Sequence, residues 1–281
     1  MVRGDWRDWH WDETLFAGAA QHYQRGRLPY APGLAAAMAA SLGLDGTGRL
    51  LDVGCGPGTI ALRLAHLFEA VVGLDPDPGM LAEAERWATT GQMRNARWIN
   101  LRAEALPAGL GQFRVITFAA SFHWMDRPAV ARTVLAMLAP GGAVVHVDTR
   151  LQHGFSPDRP LPHPAVPYEA ISELRRRWLG HDRRAGRSIR NTSPDDEDDV
   201  FRAAGFEGPQ RVPVPDGRVL ERSVGDVVAE TFSMSSTAPH LFGDGIDQFE
   251  AELVALLERA SSDGRFSAFL PANGLKIWRP E

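Results

Sequence analysis

Three glycines at alternate positions, Gly54, Gly56 and Gly58, follow directly on the apolar run Leu50-Leu51-Asp52-Val53. A second apolar run, Val71-Val72-Gly73-Leu74, ends on Asp75. Strand, glycine turn, helix, strand and terminal acid, in that order, build a nucleotide-type pocket at the carboxyl edge of a parallel sheet. Alternate glycines let the backbone turn sharply and approach a ligand closely. Asp75, at the tip of the second strand, is placed to accept hydrogen bonds from two ribose hydroxyls.

The spacing narrows the ligand. A dinucleotide fingerprint reads G-x-G-x-x-G, with a pyrophosphate at the following helix. Here the third glycine comes one residue early and Thr59 stands where the last glycine would be. No lysine follows, which excludes a phosphate-binding P-loop. Asp52, just before the glycines, would repel a phosphate and suits a ligand with a cationic group. S-adenosylmethionine offers an ammonium, a sulfonium and an adenosine ribose. A nicotinamide oxidoreductase is disfavoured on the same two grounds, the missing glycine and Asp52.

The run Asp52-Val53-Gly54-Cys55-Gly56-Pro57-Gly58 resembles motif I of the class I S-adenosylmethionine-dependent methyltransferases, in the form found in their small-molecule branch. Four further runs resemble the family's later motifs in order: Asp75-Pro76-Asp77-Pro78-Gly79-Met80-Leu81, Ala103-Glu104-Ala105-Leu106-Pro107, Ser121-Phe122-His123-Trp124-Met125-Asp126 and Leu138-Ala139-Pro140-Gly141-Gly142. The segment Tyr23-Gln24-Arg25-Gly26-Arg27-Leu28-Pro29-Tyr30 is similar to the opening of trans-aconitate methyltransferase relatives. After residue 150 the resemblance is weak. It implies cofactor contacts from Asp52, Gly54, Cys55, Gly56, Gly58, Asp75, Pro76, Met80, Ala103, Glu104, Ser121, Trp124, Tyr23 and Arg25. Ala103 and Glu104 would lie beside the adenine.

Methyl transfer is an in-line displacement at the sulfonium carbon, so alignment and exclusion of water do most of the work. An oxygen or nitrogen nucleophile must also lose a proton. His123, just past the fourth strand, could accept it; equally, His123 and Trp124 could simply wall the cofactor. Trp6, Trp9 and Trp11, interleaved with Asp5, Asp8 and Asp12, could close over an amine- or sugar-bearing acceptor, since indole faces attract cations. The duller reading is an arm anchored on the core. Tyr30 is the remaining candidate for acceptor binding. His10, His22 and Asp126 lack metal-ligand spacing, and no metal is expected.

These residues need a scaffold. The predicted elements are helices at 13–24 and 32–43, then strands 49–53, 70–75, 97–102, 113–119 and 143–148. Helices 59–68, 78–88 and 127–138 intervene, the latter two opened by Asp77-Pro78 and Asp126 with Pro128. The alternation predicts a doubly wound, mostly parallel α/β sheet, a Rossmann-like core with an antiparallel last strand. The organisation expected is an N-terminal helical cap (1–45), a cofactor-binding core (46–150), an inserted helical lid (151–192) with a helix at 165–179, and the remainder of the core (193–281). That remainder holds helix 194–204, whose acids Asp195 to Asp199 suit a helix's first turn, strand 209–215, helices 223–236 and 246–260, and a closing strand pair near 264–270 and 274–279.

Composition limits the partners. The chain has 281 residues, 44% of them hydrophobic, one cysteine and a net charge of −5. No basic stripe suits a nucleic acid, no apolar run reaches membrane-spanning length, and no apolar leader opens the chain, so a cytoplasmic location is expected. The expected activity is methylation of a small polar metabolite or natural product on nitrogen or oxygen. Carbon methylation and a non-catalytic S-adenosylmethionine-binding role are the alternatives.

Overall fold

The computed structural model describes residues 12–148, 160–180, 197–270 and 272–281. Trp6, Trp9 and Trp11 lie outside them, as do Asp195 and Asp196.

Seven strands form one sheet in the order β3-β2-β1-β4-β5-β9-β6. β1 (Arg49–Val53), β2 (Ala70–Asp75) and β4 (Phe113–Ala119) are near-continuous apolar runs buried on both faces, as parallel strands under helices must be. Leu51 pairs with Val72 on one side and Ile116 on the other, which fixes β1 at the centre. β3 (Ala96–Asn100) is the edge strand beyond β2. The strand order reverses between β1 and β4, and the crevice opens there.

Each face has its own core. Helices α2 (Leu34–Leu42) and α3 (Thr59–Leu64) cover one face, where Leu34, Met38, Ile60 and Leu64 meet Leu50, Val145 and Ile277. Helix α5 (Arg127–Ala136) and helix α7 (Glu197–Ala203) cover the other through Val130, Val134 and Phe201, against Phe118 and Trp278. Helix α4 (Pro78–Thr90) begins where the sequence predicts: Asp77 accepts from the amides of Gly79 and Met80 at 2.8 and 3.1 Å, with Pro78 at the first position. Asp126 caps α5 in the same way, accepting from Ala129 N at 3.1 Å.

The C-terminal third differs from its sequence reading. Strand β8 (Arg265–Phe269) and strand β9 (Asn273–Pro280) do not pair with each other. β9 runs antiparallel between β5 (Leu138–Asp148) and β6 (Phe206–Val214), because Leu275, Ile277 and Trp278 can all be buried only inside the sheet. β8 pairs instead with β7 (Val219–Ser223), a polar strand that the pattern does not reveal. β5 also starts five residues earlier than the predicted strand, before its Gly141-Gly142 turn.

Helix α6 (Tyr168–Leu179), from the expected lid, does not stand apart. It shares a core with α8 (Val224–Phe232), α9 (Ile246–Ala260) and β8 through Leu174, Phe232, Phe249, Leu253 and Phe266. The described residues 165–180 and 219–269 thus build a helical lobe beside the sheet. At α7, Asp198 is buried and accepts from Lys276 Nζ at 2.8 Å and from Arg211, which ties the helix to β9 and β6.

The first helix is shorter than the one expected at 13–24. Helix α1 (Ala20–Gly26) follows a run of turns from residue 13. It lies between the cleft and the lobe: Ala19 packs with Met80 and Ala238 on one side, and a Cβ on Gly26 would stand 2.4 Å from the Ala229 backbone on the other.

Candidate active site

A cleft of about 830 Å³, open mouth included, lies over the carboxyl ends of β1, β2 and β4. Its floor is the glycine turn. Gly54 has φ +68°, and a Cβ there would meet the Ser121 Cβ at 2.6 Å. Gly58 has φ +78°, and its Cβ would meet the Trp98 ring at 2.7 Å. Both the left-handed backbone and the close approach require glycine at these positions. Gly58 itself does not line the cleft; it opens α3.

Asp75 stands at the tip of β2 on the cleft wall. Its Oδ2 accepts from Gly56 N at 2.8 Å and its Oδ1 from Asp77 N at 2.9 Å. These bonds fix the carboxylate's orientation and leave lone pairs for a ligand. Burial outweighs the two amides and pushes its pKa up to about 6.

Asp52 lines the cleft but is 1% exposed, and both of its oxygens are engaged. One accepts from Thr117 Oγ1 at 2.7 Å, the other from Ala61 N at 3.2 Å. It braces α3 and β4 against β1. Burial is the main cause, with the Asp75 charge adding, of a pKa pushed up to about 7. Cys55 lies beside it, its thiol pushed up by burial and then by the two acids.

Toward β3 the wall is Pro76, Met80, Arg102, Ala103 and Glu104. The Glu104 side chain is not free: it accepts from Asp126 N at 3.0 Å and pairs with Arg102 at 3.3 Å. Toward β4 the wall is Ala119, Ala120, Ser121, Trp124 and Met125. Ser121 Oγ donates to Val53 O at 2.6 Å and clamps the two strand ends together. Ala120 has φ +54°, a conformation unusual for a residue with a side chain. Above stand Tyr23, Tyr30 and Phe16, the last edge-on to Trp124 with ring centroids 6.4 Å apart.

Besides Gly58, two expected residues among those described do not line the cleft. Arg25 points to the far side of α1, where its Nε donates to Asp226 at 2.8 Å; a neighbour 201 residues away in sequence redirects it. His123 is half-buried against Trp124, centroids 4.8 Å apart, and does not line the cleft. The short 3₁₀ turn Phe122–Trp124 explains this. Successive side chains in such a turn point about 120° apart. Phe122 takes the core and Trp124 the cleft, leaving His123 the third direction. Phe16, Thr59, Ile60, Arg102 and Met125 line the cleft without having been expected there. Thr59 and Arg102 adjoin the quoted motifs and could have been read; Phe16 had no local signal.

Comparison with known proteins agrees with this geometry. Residues 50–142 match the family described as Methyltransferase domain. Over 112 residues the chain is 37% identical to a trans-aconitate 2-methyltransferase of Methylobacterium nodulans, covering 39% of this chain and 42% of that protein. Over 132 residues it is 32% identical to a malonyl-[acyl-carrier protein] O-methyltransferase of Enterobacter lignolyticus, covering 47% and 50%. The matches span half or less of these relatives' length. A solved S-adenosylmethionine-dependent methyltransferase from Thiobacillus denitrificans, in complex with S-adenosyl-L-homocysteine, has a TM-score of 0.51 at 13% identity, covering 94% of this chain and 97% of that one. That likeness shows the fold alone. The fold is that of a Rossmann-like α/β protein with a cleft at its switch point. Residues 50–142 are thus similar to a methyltransferase domain, and the chain is similar over part of its length to S-adenosylmethionine-type methyltransferases.

Proposed function

We propose that the protein transfers the methyl group of S-adenosylmethionine to a small polar metabolite. The observation that carries this is Asp75, held by the Gly56 and Asp77 amides at the edge of a cleft whose floor is the glycine turn. A carboxylate so oriented suits a ribose diol. Pro76, Met80 and Ala103 beside it form an apolar slot for adenine. Among the described residues Arg102 is the one cation on the lining, and they bring no cluster of positive charge to the cleft for a pyrophosphate.

Phe16, Tyr23 and Trp124 form an aromatic wall near the methyl end of such a ligand. Aromatic faces favour a sulfonium and help to exclude water. Because His123 does not line the cleft, alignment is the main catalytic contribution of the described residues. An oxygen acceptor is favoured over nitrogen, since the malonyl-[acyl-carrier protein] relative is by name an O-methyltransferase. The amine-bearing sugar expectation rests on Trp6, Trp9 and Trp11, outside the described residues.

Calorimetry with S-adenosylmethionine, S-adenosylhomocysteine and NAD tests the cofactor. Binding of the first two and not the third is expected; binding of NAD alone would overturn the proposal. Release of S-adenosylhomocysteine in the presence of polar acids, phenols and amines then tests acceptor and reaction together. A protein that binds the cofactor and methylates none of them would favour the non-catalytic role.

A further inference from the structure

The cleft has two unlike ends, and the sheet order β3-β2-β1-β4 sets what each can hold. Asp75, Pro76, Ala103 and Glu104 occupy the β2–β3 end. A nucleoside seated there directs its 5′ substituent across β1 toward β4. In S-adenosylmethionine that substituent ends in an amino acid, with a carboxylate that needs hydrogen-bond donors.

No arginine or lysine among the described residues lines the β1–β4 end: Arg27, over the Tyr23 ring at 4.8 Å, and Arg63 are near Tyr30 but donate to Ser233 O and Ala31 O, and Arg102 is at the opposite end. Arg25, the cation that family resemblance would bring to the cofactor, is held by Asp226. Hydroxyls remain, and most are engaged. Ser121 Oγ donates to Val53 O, and Thr117 Oγ1 to Asp52.

Thr59 is different. It lines the cleft, yet its Oγ1 is buried without a hydrogen-bond partner. A buried hydroxyl left unpaired is unfavourable, and native structures avoid it. Thr59 stands at the first position of α3 on the cleft wall, so a staggered step about χ1 re-aims the hydroxyl without moving the backbone. Tyr30 lines the same end. Burial, with Tyr23 and Asp52 nearby, pushes its phenol pKa well up, so it keeps its proton and can donate.

We propose that Thr59 and Tyr30 form a hydroxyl clamp for the amino-acid carboxylate of the cofactor, in place of an arginine. The clamp rests on the cofactor reading above. It reassigns Tyr30 from the acceptor to the cofactor and gives Thr59 a positioning role: by fixing the amino-acid arm, it sets where the methyl group points.

The experiment compares two ligands in calorimetry. S-adenosylhomocysteine carries the amino acid; 5′-deoxy-5′-methylthioadenosine keeps the nucleoside and sulfur without it. In Thr59→Val and in Tyr30→Phe, affinity for S-adenosylhomocysteine should fall about tenfold, as for loss of a hydrogen bond to a charged group. Affinity for methylthioadenosine should stay within about twofold, and Thr59→Ser should retain most of the wild-type affinity for S-adenosylhomocysteine. Unchanged S-adenosylhomocysteine binding in either hydroxyl-removing variant overturns the clamp. An equal loss for both ligands also overturns it, because the damage would then lie in the glycine turn. So does a tenfold loss for S-adenosylhomocysteine alone in Arg25→Gln, which would put an arginine at the carboxylate. Wild-type protein that binds neither ligand would refute the cofactor reading itself. Wild-type protein that binds both equally well would refute only the clamp.

Discussion

The cofactor half and the helical lobe are built on opposite principles. In the first, recognition groups are fixed by backbone: strand tips, left-handed glycines and amides that orient Asp75. In the second, side chains hold one another. Phe242 and Phe249 stack with centroids 3.9 Å apart, and Trp178 and Phe232 pack on them edge-on. A site built from backbone can meet a ligand that never varies. A lobe held by side-chain packing can be repacked while the cleft stays as it is.

That contrast can be broken, and the largest expected effect is in the lobe. Phe249 is fully buried, and Phe249→Ala should cost about 3–5 kcal/mol of stability in chemical denaturation. Under conditions where the variant is still folded, affinity for S-adenosylhomocysteine should change less than about twofold. A large change would mean that the two halves are not independent.

Asp75→Ala should show the reverse. Charged hydrogen bonds are worth roughly 1.5–3 kcal/mol each, so S-adenosylhomocysteine affinity should fall about tenfold or more. Thermal stability should not fall, because a buried carboxylate with a raised pKa is removed. Unchanged affinity in calorimetry would move the ribose away from β2.

A pH titration sharpens the same point. Asp75 ionises near 6, so cofactor affinity should be level above pH 7. It should weaken as pH falls through 6, approaching about tenfold per pH unit if only the carboxylate binds the diol. The unliganded protein has the opposite dependence. Asp52 and Asp75, at about 7 and about 6, stay protonated in the folded state to higher pH than in the unfolded chain, where Asp titrates near ~3.9. The folded state therefore holds more protons in that window, and these two groups contribute less stability as pH rises from about 4 to 7. An affinity that is flat from pH 5 to 8 would argue against Asp75 as the ribose partner.

The smallest effect should come from His123→Ala. A general base is worth about 10²–10⁴-fold. A histidine that does not line the cleft should cost less than about tenfold in turnover. A loss of a hundredfold or more would show that His123 reaches the acceptor after all.

What the sequence revealed follows the range of the forces involved. Gly54, Gly56, Gly58 and Asp75 act through nearby backbone, so their spacing alone put them at one sheet edge. The caps of α4 and α5 were readable for the same reason. Arg25 was misread because its partner is Asp226, and nothing near Arg25 announces it. His123 was misread because the direction of a side chain in a 3₁₀ turn depends on which neighbours the core takes first. The pairing of β7 with β8 was hidden by polar residues. The shared core of α6, α8 and α9 was hidden by the distance in sequence between its aromatic members. Tyr30 lay within a quoted run and Thr59 beside one, but the missing hydrogen-bond partner of Thr59 is visible only in three dimensions.

The position of β9 bears on how the chain is made. Strands β1 to β5 are synthesised in succession, and all five can pair as soon as Asp148 has left the ribosome. β6 cannot join them, because its neighbour in the sheet is β9, which emerges only with Asn273–Pro280. Until then β5 presents an open apolar edge, the kind of surface on which chains aggregate. Most of the helical lobe, from β7 through β8, is translated between β6 and β9. Closing the sheet is therefore a late, long-range step, and such steps slow folding. Slowing translation after Asp148 prolongs the exposure of β5, whereas slowing it within the first five strands does not.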